Sequence, residues 1–307
     1  MKKTLLTAST ISILGKGLLL GAMTLGTTAA QAEYVTISPE LTMHYETAGH
    51  GDKTIVFTPG WLMSANAFEK QLEHFEGSDE YTAIAYSPRS QGLSTKTMEG
   101  NTYMQHGRDL AAFMEKLDLK DVTLVGWSYG VAETLSYVNQ FGDDNLNALM
   151  LIDASPKIAS ESYADFTWYL RDDSDGRSNW STTTILEDKS GLIDVFVPWM
   201  LEDTENKEAV KFWKDMAHQT SASAGATLNA TGFYLDYTAD AQNFDTKKPM
   251  SWVIREEWKP VAEQWIEKNT PNASASYFGK HAMFWERPEQ FNTVQHSSRR
   301  VLGRSRI

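Results

Sequence analysis

The stretch Leu124-Val125-Gly126-Trp127-Ser128-Tyr129-Gly130-Val131-Ala132 is an apolar run broken by a G-x-S-x-G turn and then resumed. Few structures accommodate such a stretch. The approach reads as a buried strand and the continuation as a helix; the bend between them must be sharp, with glycines where side chains would clash. A serine on that bend presents its hydroxyl above the sheet, so Ser128 is a candidate nucleophile. Three fixed residues at this spacing arise by chance in roughly one chain in ten. The weight of the turn therefore rests on what surrounds it.

What surrounds it is an alternation. Apolar runs at residues 54–57, 81–86, 122–125, 146–152, 250–254 and 275–278 read as strands, several of them continuous enough to be covered on both faces. Helical spacing separates them at 65–75, 103–117, 129–141 and 260–268. This order predicts an α/β fold with a mostly parallel, doubly wound sheet. Two shorter runs, 34–37 and 41–45, read as an antiparallel hairpin at the sheet edge. From 157 to 248 the alternation stops. Phe166, Trp168, Tyr169, Trp180, Phe196, Trp199, Phe212, Trp213, Phe233 and Tyr234 lie among polar residues without strand runs, which predicts a helical cap inserted over the sheet. The expected organisation is core 33–156, cap 157–248, core 249–297 and a basic tail 298–307.

The first 32 residues read differently. Lys2 and Lys3, a short apolar stretch at 18–25 and Ala30-Gln31-Ala32 have the order of a cleavable export signal, and the apolar part is shorter than the roughly 20 residues of a membrane span. The expectation is a secreted or periplasmic protein without a stable membrane anchor. Loss of the segment removes three lysines and no acid, taking the formal charge from −12 to −15. Nucleic acid is not an expected partner of so acidic a chain, because it is bound through clustered Lys and Arg. Arg299, Arg300, Arg304 and Arg306 read as a frayed terminus rather than a binding patch. The chain has no cysteine, which excludes thiol catalysis and thiolate metal sites. At 41% hydrophobic residues it can bury a large core unaided, and neither cofactor nor metal is expected.

A serine hydroxyl becomes a useful nucleophile when a base takes its proton, and histidine suits because its pKa lies near operating pH. An acid then fixes the imidazole tautomer. His281 follows the last expected strand, in the loop where the base belongs; His44, His50, His74, His106, His218 and His296 lack that context.

Taken with Thr58-Pro59-Gly60-Trp61, Ser87-Pro88-Arg89-Ser90-Gln91-Gly92-Leu93-Ser94, Gly279-Lys280-His281 and Glu286-Arg287-Pro288-Glu289-Gln290-Phe291, the serine turn makes the chain resemble the α/β-hydrolase superfamily over nearly all of residues 33–297. Within it the resemblance is to the non-haem haloperoxidase and aryl-esterase branch. It implies an oxyanion hole formed by the backbone N–H groups of Trp61 and Tyr129. It also implies an acid in a Gly-x-x-Asp segment after the penultimate strand, but here that segment reads Arg255-Glu256-Glu257-Trp258. One register puts tryptophan at the acid position, and counting back from Pro260 points to Glu256. Glu257 lies between the two and is the first choice, Glu256 the second, and Asp153, at the end of the preceding core strand, the third.

The implied activity is hydrolysis of a carboxylic ester through an acyl-enzyme, the substrate carrying an apolar or aromatic group. A lactonase, an amidase or aminopeptidase, and a perhydrolase fit the same residues. A non-catalytic binding protein on the same fold is the alternative of another class.

Overall fold

The computed structural model describes residues 31–294. The expected export signal up to residue 30 and the basic tail at 298–307 lie outside the described residues. The chain runs β1 (Gln31–Ser38), β2 (Leu41–Gly49), β3 (Lys53–Thr58), α1 (Glu69–Phe75), β4 (Tyr81–Tyr86), α2 (Tyr103–Lys116), β5 (Val122–Trp127), α3 (Tyr129–Phe141) and β6 (Leu146–Ile152). Two short strands, β7 (Ala159–Ser160) and β8 (Tyr169–Leu170), precede helices α4 (Arg177–Glu187), α5 (Lys189–Met200), α6 (Lys207–His218), α7 (Ala222–Gly232) and α8 (Thr238–Lys247). Then come β9 (Met250–Ile254), α9 (Lys259–Asn269), β10 (Ser274–Tyr277) and α10 (Met283–Glu286).

Eight strands form one sheet in the order β1-β2-β4-β3-β5-β6-β9-β10. The expected hairpin is its antiparallel edge, β2 also pairs antiparallel with β4, and the other pairings are parallel. β1 begins at Gln31, so Gln31 and Ala32 of the expected cleavage motif pair with Thr47 and Glu46.

The central strands are mainly apolar because both faces are covered. Side chains alternate in direction along a strand, so Ile55, Phe57, Val125 and Met150 pack into one core while Val56, Leu124, Leu149 and Leu151 pack into another. Leu72 and Phe75 of α1, Phe284 of α10 and cap residues such as Trp213 close the first. Leu110 of α2, Val131 and Leu135 of α3, Phe244 of α8 and Ile266 of α9 close the second. A side chain such as Phe57, fully buried, contributes about 2 to 3 kcal/mol through removal from water.

The insertion between β6 and β9 is helical from α4 onward, but its first twenty residues are not. Here Asp and Ser side chains satisfy nearby backbone donors and compete with the helix: Ala164 donates its N–H to Ser162 Oγ, Ser174 its N–H to Asp172 and Arg177 its N–H to Asp175. The Ser87–Ser94 segment acts as a brace after β4. Ser94 Oγ donates to the Ser87 carbonyl at 2.5 Å, and Arg89 forks onto Asp109 at 2.7 and 2.8 Å. Among the described residues no helix is long and apolar enough to cross a membrane.

Candidate active site

Ser128 stands between β5 and α3 with φ 57° and ψ −131°. That is a region glycine tolerates and a residue with a Cβ enters only under strain. Tertiary contacts hold it there. The Ser128 N–H donates to the Ile152 carbonyl at 2.8 Å, and α3 packs so close to β3 that a Cβ on Gly130 would lie 2.3 Å from the Thr58 carbonyl oxygen. Gly60 approaches from the other side, where a Cβ would lie 2.8 Å from that of Ser128. Gly130→Ala should therefore push α3 away from β3, costing about 1 to 3 kcal/mol. The expected drop in thermal midpoint is several degrees, and a Gly130→Ala variant that melts with the wild type would contradict this packing.

His281 lies in the loop between β10 and α10, buried, with Nε2 at 3.0 Å from Ser128 Oγ. Its Nδ1 is 2.5 Å from Oδ2 of Asp153, which is also buried. The acid at the histidine is thus the third sequence candidate, and Glu257 and Glu256 are corrected. Both belong to a short 3-10 turn, Glu256–Trp258, that carries them to the surface. The Glu257 side chain is 64% exposed and forms an ion pair at 2.9 Å with Nε of Arg255. The geometry follows from the sheet: Trp127 of β5 is in register with Ile152 of β6, so Ser128 and Asp153 are the next residues at the same edge of adjacent strands. In the sequence Asp153 shows only as an aspartate that ends a buried strand; in the fold it takes a left-handed conformation (φ 49°) that Asp tolerates.

The main chain of His281 is anchored as well. Trp127 donates its Nε1–H to the His281 carbonyl at 2.8 Å, and the two rings lie 5.2 Å apart. Sequence reasoning missed this tryptophan. Burial is the main influence on the titration of His281 and lowers its pKa from the ordinary 6.5; Asp153 opposes that shift and the Arg255 cation adds to it. The other described histidines serve elsewhere: His44 contacts Ser87 Oγ at 3.1 Å and His106 contacts Glu133 at 3.1 Å.

A cavity of about 340 Å³ opens over Ser128 and His281. Trp61, after β3, and Tyr129, in the serine turn itself, stand in its wall, and cap residues Trp168, Tyr169, Trp180, Phe196 and Trp199 supply most of the rest. The cap aromatics divide by role. Phe166 and Trp213 are core, Tyr234 is exposed at 83%, and the cavity-lining group includes Trp199, at 4.8 Å from the His281 ring. Trp61 is anchored to the cap by its Nε1–H donating to the Gly225 carbonyl at 2.8 Å. Among the described residues no cluster of three or more His, Asp or Glu could hold a metal.

Comparison with known proteins fits this arrangement. Residues 53–260 match the family profile described as the alpha/beta hydrolase fold. Over 210 residues, 66% of this chain and 73% of the relative, the sequence is 29% identical to a non-heme chloroperoxidase of Kitasatospora aureofaciens. Over 126 residues, 41% of this chain and 45% of the relative, it is 28% identical to a bifunctional esterase/perhydrolase of Acinetobacter calcoaceticus. Among solved structures, a bromoperoxidase from Bacillus anthracis superposes with a TM-score of 0.78 at 20% identity, covering 88% of this chain and all of that one. An esterase from Exiguobacterium antarcticum does so with a TM-score of 0.77 at 18% identity and the same coverages. These structural likenesses establish the shared fold.

Proposed function

As the chain belongs to the α/β-hydrolase family, we propose that it is a serine hydrolase cleaving a carboxylic ester through an acyl-enzyme. The observation that carries the reading is the contact chain Ser128 Oγ to His281 Nε2 at 3.0 Å and His281 Nδ1 to Asp153 Oδ2 at 2.5 Å, set in the floor of an aromatic cavity. Ser128 Oγ attacks the ester carbonyl carbon while His281 Nε2 takes its proton. Asp153 accepts the Nδ1–H, fixing the tautomer that leaves Nε2 free to act as base. The carbonyl oxygen gains negative charge in the tetrahedral intermediate, for which the backbone N–H groups of Trp61 and Tyr129 are the assigned donors; each such donor is worth about 3 kcal/mol of barrier. His281 returns the proton to the departing alkoxide, and water, deprotonated by the same imidazole, then releases the acid.

The cavity suits an apolar or aromatic acyl or alcohol group. Its volume, about 340 Å³, lies at the small end of ligand pockets, so esters of short or aromatic acids are favoured over long-chain lipids. The chloroperoxidase and esterase/perhydrolase names of the relatives favour a second outcome at the same acyl-enzyme: hydrogen peroxide in place of water attacks the acyl carbon, yielding a peracid and free Ser128.

A fluorophosphonate probe tests the class directly. Covalent labelling of the wild type at Ser128 is expected, and failure to label at a concentration that saturates an ordinary esterase would exclude the serine mechanism. A p-nitrophenyl ester series should then show kcat/KM highest for short or aromatic acyl groups. A maximum at long chains would overturn the substrate assignment.

A further inference from the structure

Arg255 is a buried cation that this mechanism does not use. Only 3% of it is exposed, although arginine is among the residues least often buried without a partner. It directly follows β9, and Val253 of β9 is in register with Ile152 of β6, so it emerges beside Asp153. Two of its groups reach that carboxylate: the backbone N–H donates to Oδ1 at 3.0 Å and Nη1–H donates to Oδ2 at 3.0 Å. Oδ2 is the same oxygen that meets His281. On its other side the guanidinium is enclosed by indoles, its central carbon 4.9 Å from the centre of Trp168, 5.1 Å from Trp199 and 3.8 Å from Trp258. Trp168 and Trp199 also flank the His281 ring, at 5.3 and 4.8 Å. One pair of cavity-lining tryptophans thus packs against both the cation and the imidazole.

We propose that Arg255 is a positioning residue for the Ser128–His281–Asp153 relay: clamped by tryptophans, it aims the Asp153 carboxylate at His281 and balances its buried charge. The proposal rests on the serine-hydrolase reading. A carboxylate removed from water is stable only if paired and hydrogen-bonded, and arginine holds it in a fixed orientation because the guanidinium fork is rigid and always charged. Facing Arg255 are Asp153 at the end of β6, Glu257 in the turn after β9, and Arg177 at the start of α4. Those acting on His281 are Asp153, Arg255 and Glu257. The Arg255 charge opposes protonation of the imidazole. Catalysis needs the neutral imidazole, so kcat/KM falls as pH drops through the pKa of His281, and this acid limb lies below the ordinary value of 6.5 in the wild type. Without the charge, the imidazole keeps its proton to higher pH and the limb moves up.

The test compares pH profiles of kcat/KM for p-nitrophenyl acetate in the wild type, R255M and R255K. R255M should raise the acid limb by roughly one unit, a deficit of about tenfold at the foot of the limb that narrows toward pH 9. R255K restores the charge without the fork, so its limb stays near that of the wild type while kcat falls. An R255M limb in the wild-type position, or an R255K limb displaced as far as that of R255M, would overturn the proposal. If R255M does not fold, R255Q takes its place; failure of both neutral variants to fold would assign Arg255 to the core and also overturn it. Wild-type labelling by the fluorophosphonate separates the two readings. If the wild type is inert, the serine-hydrolase reading has failed, and the Arg255 comparison is read from the NMR titration of the His281 ring, where an R255M pKa equal to that of the wild type counts against the proposal.

Discussion

Asp153→Asn should lower kcat by about 10⁴-fold, the loss seen when a serine hydrolase keeps its geometry but loses the acid that sets the histidine tautomer. Asparagine fits the space but presents an amide where Asp153 Oδ2 meets His281 Nδ1 at 2.5 Å. The tautomer with the proton on Nε2 then competes, and it cannot accept the Ser128 proton. The change also leaves the buried Arg255 guanidinium without its carboxylate partner, costing about 3 kcal/mol and several degrees of thermal midpoint. Turnover should therefore be read well below the melting range. Glu257→Gln is the paired control. Its carboxylate is 64% exposed and contacts Arg255 at 2.9 Å, so turnover should stay within about threefold of the wild type, as for a surface ion pair of small worth. Steady-state hydrolysis of p-nitrophenyl acetate by the two variants decides the matter: collapse in E257Q with survival of D153N would return the acid to the loop after β9.

Ser128→Ala should remove nearly all turnover, by about 10⁵-fold or more, because the base and the acid without a nucleophile leave only binding and oxyanion stabilisation. Ser128→Gly should be equally inactive but should differ in stability. Both variants lose the hydroxyl that contacts His281 at 3.0 Å, yet only alanine retains a Cβ at φ 57°, ψ −131°. Relief of that strain is worth about 1 to 3 kcal/mol, less the extra backbone entropy of glycine, about 0.5 to 1 kcal/mol. S128G should consequently melt a few degrees above S128A. Turnover above a thousandth of wild type in either variant would mean that another group attacks the ester. An S128G midpoint at or below that of S128A would mean that the turn stores no strain.

The serine turn was legible because the residues that signal it are local, although tertiary contacts hold it in place. Strand, bend and helix are consecutive, and the bend announces itself through Gly126 and Gly130, whose missing side chains leave room for Thr134 and Thr58. His281 was legible for a related reason, since it follows the last strand of an alternation whose period could be followed from residue 54 onward. Trp61 and Tyr129 were placed by resemblance, and both stand in the cavity wall. The first part of the insertion departs from the helical expectation because aromatic density is visible in the sequence, whereas the side-chain hydrogen bonds of residues 172–177 that compete with a helix form only in the folded loop.

The chain order of residues determined that this protein is a covered parallel sheet with a serine on a strained turn, and which histidine could serve that serine, because strand periodicity and turn chemistry act over a few neighbouring residues. The choice of acid was left to the tertiary structure. Asp153 is 128 positions from His281, and nothing local distinguishes it from an aspartate that merely ends a strand. It is selected because β6 lies between β5 and β9 in the sheet, which puts Asp153 next to Ser128 on one side and Arg255 on the other. The turn after β9, meanwhile, lifts Glu256 and Glu257 into solvent. Lateral strand order and the direction of one turn are properties of the packed sheet as a whole, and they decide which carboxylate is dry, ionically paired and within reach of the imidazole.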